Sequence, residues 1–180
     1  MPRGNPSNRI KSRRAPTLRP RGWKKLRRYR PILMRDVVKV DRVYRVTKGG
    51  KRISFRALIV MGNKSGRVGM GVAPARDSYY AIEKGETRAR RKLLNVIITS
   101  SGSIPHVVAG KFGAAKVLLI PAAPGCGVIA GSSIKSILEF AGIQNILSKR
   151  LGSGNLINNA RATLDALARL KRASFRSPQL

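Results

Sequence analysis

The side chains best supplied for chemistry in this chain are cations set among glycines. In RVTKGGKRISFRALIVMGNKSGRVGMG, residues 45–71, two short pieces of glycine, lysine, arginine and serine interrupt apolar runs. The first is Lys48, Gly49, Gly50, Lys51 and Arg52; Lys64 and Arg67 flank the second. Reversing a chain takes only glycine or asparagine. The added cations bring counterion displacement from a polyanion, and glycine beside them lets a sugar–phosphate ridge approach the main chain. Basic loops of this kind suit A-form RNA, which is read through phosphates and 2′-hydroxyls rather than base edges. Solubility would explain the lysines but not the paired glycines. A further basic run, Arg88, Arg90, Arg91 and Lys92, is by itself no more than a solvated surface.

The groups that catalysis needs are scarce. PGCGVIAGSS, residues 124–133, places glycine amides ahead of an expected helix start, a natural phosphate cradle. It does not spell G-x-x-x-x-G-K-[ST], and G-x-G alone is a weak signal. A kinase also needs carboxylates to hold magnesium, yet no Asp or Glu occurs between Glu86 and Glu139. Cys126 near a helix start, with His106 as base, would make a nucleophile, but a packed small residue is the simpler role for this cysteine. One Cys and one His leave neither a disulfide framework nor a Cys/His zinc site. No catalytic residue, metal or cofactor is expected, and lone cysteine usage fits a reducing compartment.

The totals point the same way. The 180 residues include 38 Lys+Arg and 7 Asp+Glu, a formal net charge of +31, with 42% hydrophobic residues, ordinary for a globular core. Self-repulsion of that size destabilises a compact fold unless a polyanion neutralises it. Nucleic acid is the commonest such partner and an anionic membrane surface the next. No run of about 18 apolar residues is present, which excludes a spanning helix. The N-terminus also lacks the apolar segment of a secretory signal.

Three regions must position the basic groups. Residues 1–35 form a leader with thirteen Lys/Arg and no acid, and its prolines deny it a long helix. That composition matches an organelle transit peptide or a working tail laid along phosphates; the tail is favoured, with Lys24, Lys25, Arg27 and Arg28 as its contacts. Trp23 and Tyr29 beside them would stack on bases or pin the tail to the body. Residues 36–100 read as strand, strand, strand, helix. VVKVDRVYRV alternates; ISFRALIVM places Ile53, Phe55, Ala57, Ile59 and Met61 on one face; GNKSG turns on Gly62 and Gly66 with positive φ; RVGMGVA returns, with Gly69 and Gly71 admitting a close approach. A helix capped by Asp77 or Ser78 then buries Ala81, Ile82, Gly85, Ala89, Leu93 and Val96. Residues 104–172 form a second unit, and 173–180 a short tail. There AAKVLLIPAA is a strand, SSIKSILEFAG a helix stopped by Gly142, IQNILSKRLGS a strand, and the final helix is capped by Asn155.

At KGGKRISFRALIVMGNKSGRVGMG the chain resembles the bacterial-type S-five family of small-subunit ribosomal proteins. The likeness continues through ARRKLLNV, IPH, GAAKVLLIPAAPGCGVIAG, SILEFAGIQNILSKRLGS and NLINNARATLDAL, covering roughly residues 38–170. It implies an α+β fold: an N-terminal double-stranded-RNA-binding-like unit, a three-stranded antiparallel sheet plus helix, then a C-terminal α/β unit with a left-handed β-α-β crossover. It also implies a structural, non-enzymatic role. The expected partners are small-subunit ribosomal RNA, messenger RNA where it enters its channel, and ribosomal proteins S-four and S-eight, with an influence on decoding accuracy and no homo-oligomer.

The K-G-G-K loop of the family falls on Lys48, Gly49, Gly50 and Lys51, and Ser54, Arg56, Arg76, Arg88, Arg91 and Lys92 complete the RNA-binding candidates with Arg52, Lys64 and Arg67. Pro74 stands where relatives carry lysine, and Cys126 where threonine is common. VYRVTKGGK leans toward mitochondrial relatives and FGAAKVLL toward plastid ones, so a mitochondrial ribosome is placed slightly ahead of a plastid one, with bacterial cytoplasm as the alternative. Two other readings stand beside this one: a double-stranded-RNA-binding factor outside the ribosome, and a small-molecule kinase-like enzyme using residues 124–133.

Overall fold

The computed structural model describes residues 33–171. The leader candidates Lys24, Lys25, Arg27 and Arg28, and the tail 173–180, lie outside the described residues. The elements in order are β1 (Met34–Thr47), β2 (Gly50–Gly62), β3 (Arg67–Ala75), α1 (Ser78–Arg91), β4 (Leu93–Asn95) and β5 (Val108–Phe112), then β6 (Ala115–Pro121), β7 (Val128–Ile129), α2 (Ser132–Ala141), β8 (Ile146–Gly152) and α3 (Leu156–Ala168). They build two four-stranded sheets. The first runs β1-β2-β3-β4 and is antiparallel throughout. The second runs β5-β6-β8-β7, with only β7 and β8 parallel, so β7-α2-β8 is a β-α-β unit. The mixed α+β class is as expected, with a fourth strand added to the first sheet.

The middle of the first sheet is covered on both faces. Ala57, Ile59 and Met61 join Ala81 and Ala89 of α1 in one buried cluster. Leu58 and Val60 belong to a second, larger cluster with Ile134 and Leu138 of α2, Val117 and Leu119 of β6 and Leu167 of α3. The one-faced alternation expected for β2 therefore fails at both ends: Leu58 and Val60 are 2% and 0% exposed, while Ile53 is 50% exposed. A near-continuous apolar run is what a strand covered twice requires. Its second cover comes from helices far later in the chain.

Helix α1 can lie close on β3 because two glycines face each other. A Cβ on Gly71 would overlap the carbonyl oxygen of Gly85 and stand 2.7 Å from the Ala89 nitrogen. The close approach expected at this strand glycine is thus made by the chain's own helix. The helix ends at Arg91, so Leu93 and Val96 are not on its buried stripe; Leu93–Asn95 pairs instead with Arg67–Gly69. Asp77 is the N-cap but makes no side-chain cap bond; its backbone oxygen accepts from the Ala81 N–H at 3.0 Å. At α3 the expected cap forms, Asn155 Oδ1 accepting from the Ile157 N–H at 3.1 Å. Gly142 ends α2 at φ 94°, the left-handed conformation that glycine tolerates best.

Candidate nucleic-acid interface

Strands β1 and β2 run on past the rest of their sheet. β2 pairs with β3 only as far as Phe55 opposite Ala75, whereas β1 and β2 stay paired to Thr47 opposite Gly50. The extension is a two-stranded ribbon whose turn carries Lys48, Gly49, Gly50, Lys51 and Arg52, all exposed. Gly50 sits at φ 146°, and a Cβ at Gly49 or Gly50 would meet nothing within 4 Å. The Thr47 hydroxyl closes the turn by donating to the Gly50 carbonyl at 3.0 Å. Arg45, which sequence reasoning passed over, stands directly opposite Arg52 in the ladder. Like charges in that position repel, so the tip is stabilised by any anion that comes between them. Among the described residues no carboxylate pairs with Lys48, Lys51 or Arg52.

Further down the ribbon the candidates are engaged. Ser54 is half-buried opposite Val43. Arg56 Nη2 donates to Asp41 Oδ2 at 3.0 Å, and Lys39 Nζ approaches the other oxygen at 2.9 Å. Hydrogen bonds from Lys39 and then Arg56 hold the Asp41 carboxyl below its ordinary pKa. Arg56 is thereby tied to β1, and it stiffens the base of the ribbon.

The second cationic turn has a different character. It lies at the other end of β2, about 40 Å from the tip at the usual strand rise, so the two loops are not brought together. The Lys64 N–H donates to the Phe140 carbonyl at 3.0 Å and the Gly66 N–H to the Ala141 carbonyl at 2.8 Å, docking the turn on the C-terminus of α2. Gly62 is not at positive φ; Lys64 is, at 53°, and Gly66 at 89°. Asn63 Oδ1 accepts from the Ser65 and Arg67 N–H groups, each at 2.9 Å. The glycines here serve packing within the chain, while the Lys64 and Arg67 side chains remain exposed. Arg91 and Lys92, at the end of α1 just before β4, fall at this same end of the sheet, because Leu93 pairs with Gly69. Arg88 Nη1 donates to the Val72 carbonyl at 2.6 Å. Arg90 is paired instead, with Glu86, which also holds Arg35. Arg76 is exposed just after β3.

The glycine loop at 124–133 uses two of its glycine amides within the chain. The N–H groups of Gly125 and Gly127 both donate to Asn145 Oδ1, at 2.9 and 3.3 Å, while Asn145 Nδ2 donates to the Ser101 carbonyl. Asn145, 6% exposed, is thus the acceptor for those two amides, in place of any anion. Cys126 and His106 are both exposed. Among the described residues no group of three or more His, Cys, Asp and Glu could hold a metal ion, and no helix is long and apolar enough to cross a membrane.

Taken together, a two-sheet α+β body, cations gathered at a glycine tip and a helix end, and a glycine loop braced by Asn145 make a geometry suited to a polyanion. Comparison with known families names the kind. The model of the ribosomal protein S5 N-terminal domain matches residues 33–97, and that of the ribosomal protein S5 C-terminal domain residues 110–176. The chain belongs to the ribosomal protein S5 family, which is structural and not enzymatic. It is 56% identical over 135 residues to small ribosomal subunit protein uS5c of Emiliania huxleyi, spanning 75% of this chain and 85% of that one. It is 53% identical over 135 residues to uS5c of Rhodomonas salina, with 75% and 80% covered. To uS5 of the cyanobacterium Acaryochloris marina it is 53% identical over 135 residues, with 75% and 76% covered. These relatives correct the expected localisation. Plastid-form and cyanobacterial proteins match the chain along most of its length, which points to a plastid or bacterial type, and VYRVTKGGK was too short a stretch to favour a mitochondrion.

Proposed function

We propose that this chain is a structural constituent of a plastid-type or bacterial small ribosomal subunit, binding small-subunit ribosomal RNA through two basic poles. One pole is the ribbon tip of Lys48, Gly49, Gly50, Lys51 and Arg52, with Arg45 added. The other gathers Lys64, Arg67, Arg91 and Lys92 at the opposite end of the sheet, with Arg88 beside them nearer mid-strand. Ser54, Arg56 and Arg76 lie between, with Asp41 and Arg56 bracing the ribbon. The leader cations Lys24, Lys25, Arg27 and Arg28 are included on composition alone. Contacts with S-four and S-eight, a place where messenger RNA enters its channel, and an effect on decoding accuracy follow from the family likeness. A division into units at 36–100 and 104–172 belongs to the same proposal; the family matches at 33–97 and 110–176 support it.

The observation that carries this reading is the tip. Its glycines have open space around them and its cations lack acidic partners among the described residues, with two arginines set face to face. Folded RNA supplies what that arrangement lacks. The experiment is retention of the full-length protein on small-subunit ribosomal RNA across a salt series. We expect log affinity to fall linearly with log salt, and Lys48→Glu with Lys51→Glu to flatten the slope by roughly two units, about one per lost phosphate contact. Subunits assembled with that variant should misread or assemble poorly, although the isolated protein stays folded. An unchanged slope and unchanged subunits would reject the tip as an RNA contact.

A further inference from the structure

β4 covers only part of the β3 edge. Its three residues pair with Arg67–Gly69, and beyond them that edge is open. The gap is a groove of 710 Å³ floored by Met70, Gly71 and Val72 of β3. Arg88 and Arg91 of α1 and Lys92 just after it line one side; Phe112 of β5 and Arg161 and Leu164 of α3 line the other. Both units therefore build it. Four of its nine lining residues are cations and none is an acid. The Arg161 guanidinium lies 4.9 Å from the centroid of the Phe112 ring, which is 40% exposed. Among the described residues no carboxylate pairs with Arg91, Lys92 or Arg161.

We propose, building on the RNA-binding reading above, that this groove holds a short unpaired RNA segment, its phosphates on Arg91, Lys92 and Arg161 and a base stacked against Phe112. A duplex keeps its bases stacked within itself, whereas an unpaired strand can offer one to Phe112. Stacking on an aromatic ring backed by a guanidinium tolerates any base, because each base has a π face. An acidic peptide is the other polyanion to consider. An open sheet edge takes peptides by strand addition, which needs the edge carbonyls free. Arg88 already donates to the Val72 carbonyl at 2.6 Å, in the middle of the open stretch. The groove is thus left to a ligand recognised by charge and stacking.

The test uses the full-length protein with Phe112→Trp as reporter, in a Trp23→Phe background so that the single native tryptophan does not contribute. Short oligouridine should quench the reporter, and polyglutamate of equal charge should not. Arg161→Ala combined with Lys92→Ala should weaken oligouridine binding and flatten its salt slope by about 0.7 per lost contact. Phe112→Ala should weaken it about tenfold. Lys48→Glu with Lys51→Glu should leave oligouridine quenching intact while weakening retention on ribosomal RNA. Quenching by polyglutamate, or no quenching by oligouridine while ribosomal RNA retention still depends on the tip, overturns the groove and spares the general reading. If neither set of variants affects any RNA, both readings fail. A photoreactive phenylalanine analogue at position 112 then tells the sources apart in assembled subunits. Crosslinks formed without messenger identify ribosomal RNA, and crosslinks that need added messenger identify messenger RNA. Crosslinks to protein alone overturn the proposal.

Discussion

Gly49 and Gly71 share a residue type and differ in everything around it. An alanine at Gly71 would press its Cβ into the backbone of α1, so Gly71→Ala should destabilise the protein by about 3 kcal/mol in urea unfolding. Gly49→Ala meets nothing and should stay within about 0.5 kcal/mol of the parent. The sequence marks both as glycines that admit a neighbour; only the fold says that one neighbour is a helix and the other is open solvent. Asp41 gives a second residue-scale prediction. Lys39 and Arg56 lower its pKa in the folded state, so the stabilisation is complete above the ordinary carboxylate value of about 3.9 and is lost as pH falls through the lowered one. Against Asp41→Asn, the parent should lead by at most about 1 kcal/mol at neutral pH, since the pair is at the surface. That lead should vanish in acid. A difference that grew with acidification would contradict the sign.

At the scale of elements, caps and stops were legible and short strands were not. Asn155 before α3 and Gly142 after α2 announce themselves by residue type, and both act as expected. β4 was hidden because Leu93 and Val96 happen to continue the helical spacing of Ala81, Gly85 and Ala89. β5 was hidden by Gly110, a poor strand residue that is present because a Cβ there would overlap the Ala162 carbonyl of α3. β7 spans two residues within a loop that reads as glycine-rich punctuation. The loop's organiser, Asn145, lies well downstream, inside a stretch that reads only as the lead into a strand. Asn145→Ala should cost about 1–3 kcal/mol, because it orphans the Gly125 and Gly127 amides. Amide exchange at those two glycines should accelerate more than elsewhere. Uniform acceleration would mean that the side chain supports the whole fold instead.

Over the whole molecule, charge was the most readable property and the shared core the least. A net charge of +31 could be counted, and it directed attention to polyanions before any fold was known. That Leu58 and Val60 of the first sheet would be buried with Val117 and Leu119 of the second could not be counted, since a continuous apolar run asks for cover on both faces without naming what supplies it. Because that cluster spans both sheets, residues 33–171 should unfold in one calorimetric transition, with matching calorimetric and van't Hoff enthalpies. Two separated transitions would show that the sheets are energetically independent. Salt should raise the melting temperature of the free protein by screening its self-repulsion, while the same salt weakens its hold on RNA.

The pairing of β1 with β2 slips by one residue between Val37 and Lys39, and that irregularity is a bulge. A bulge bends a strand and increases its local twist. From Val38 to the turn is roughly 30 Å of strand, so each degree of bend there sweeps the lysines sideways by about half an ångström. The destination of the charges is decided at a hydrophobic residue distant from any of them. Deleting Val38 would leave the electrostatic inventory intact and point it somewhere else, a mutation of aim with no mutation of ammunition.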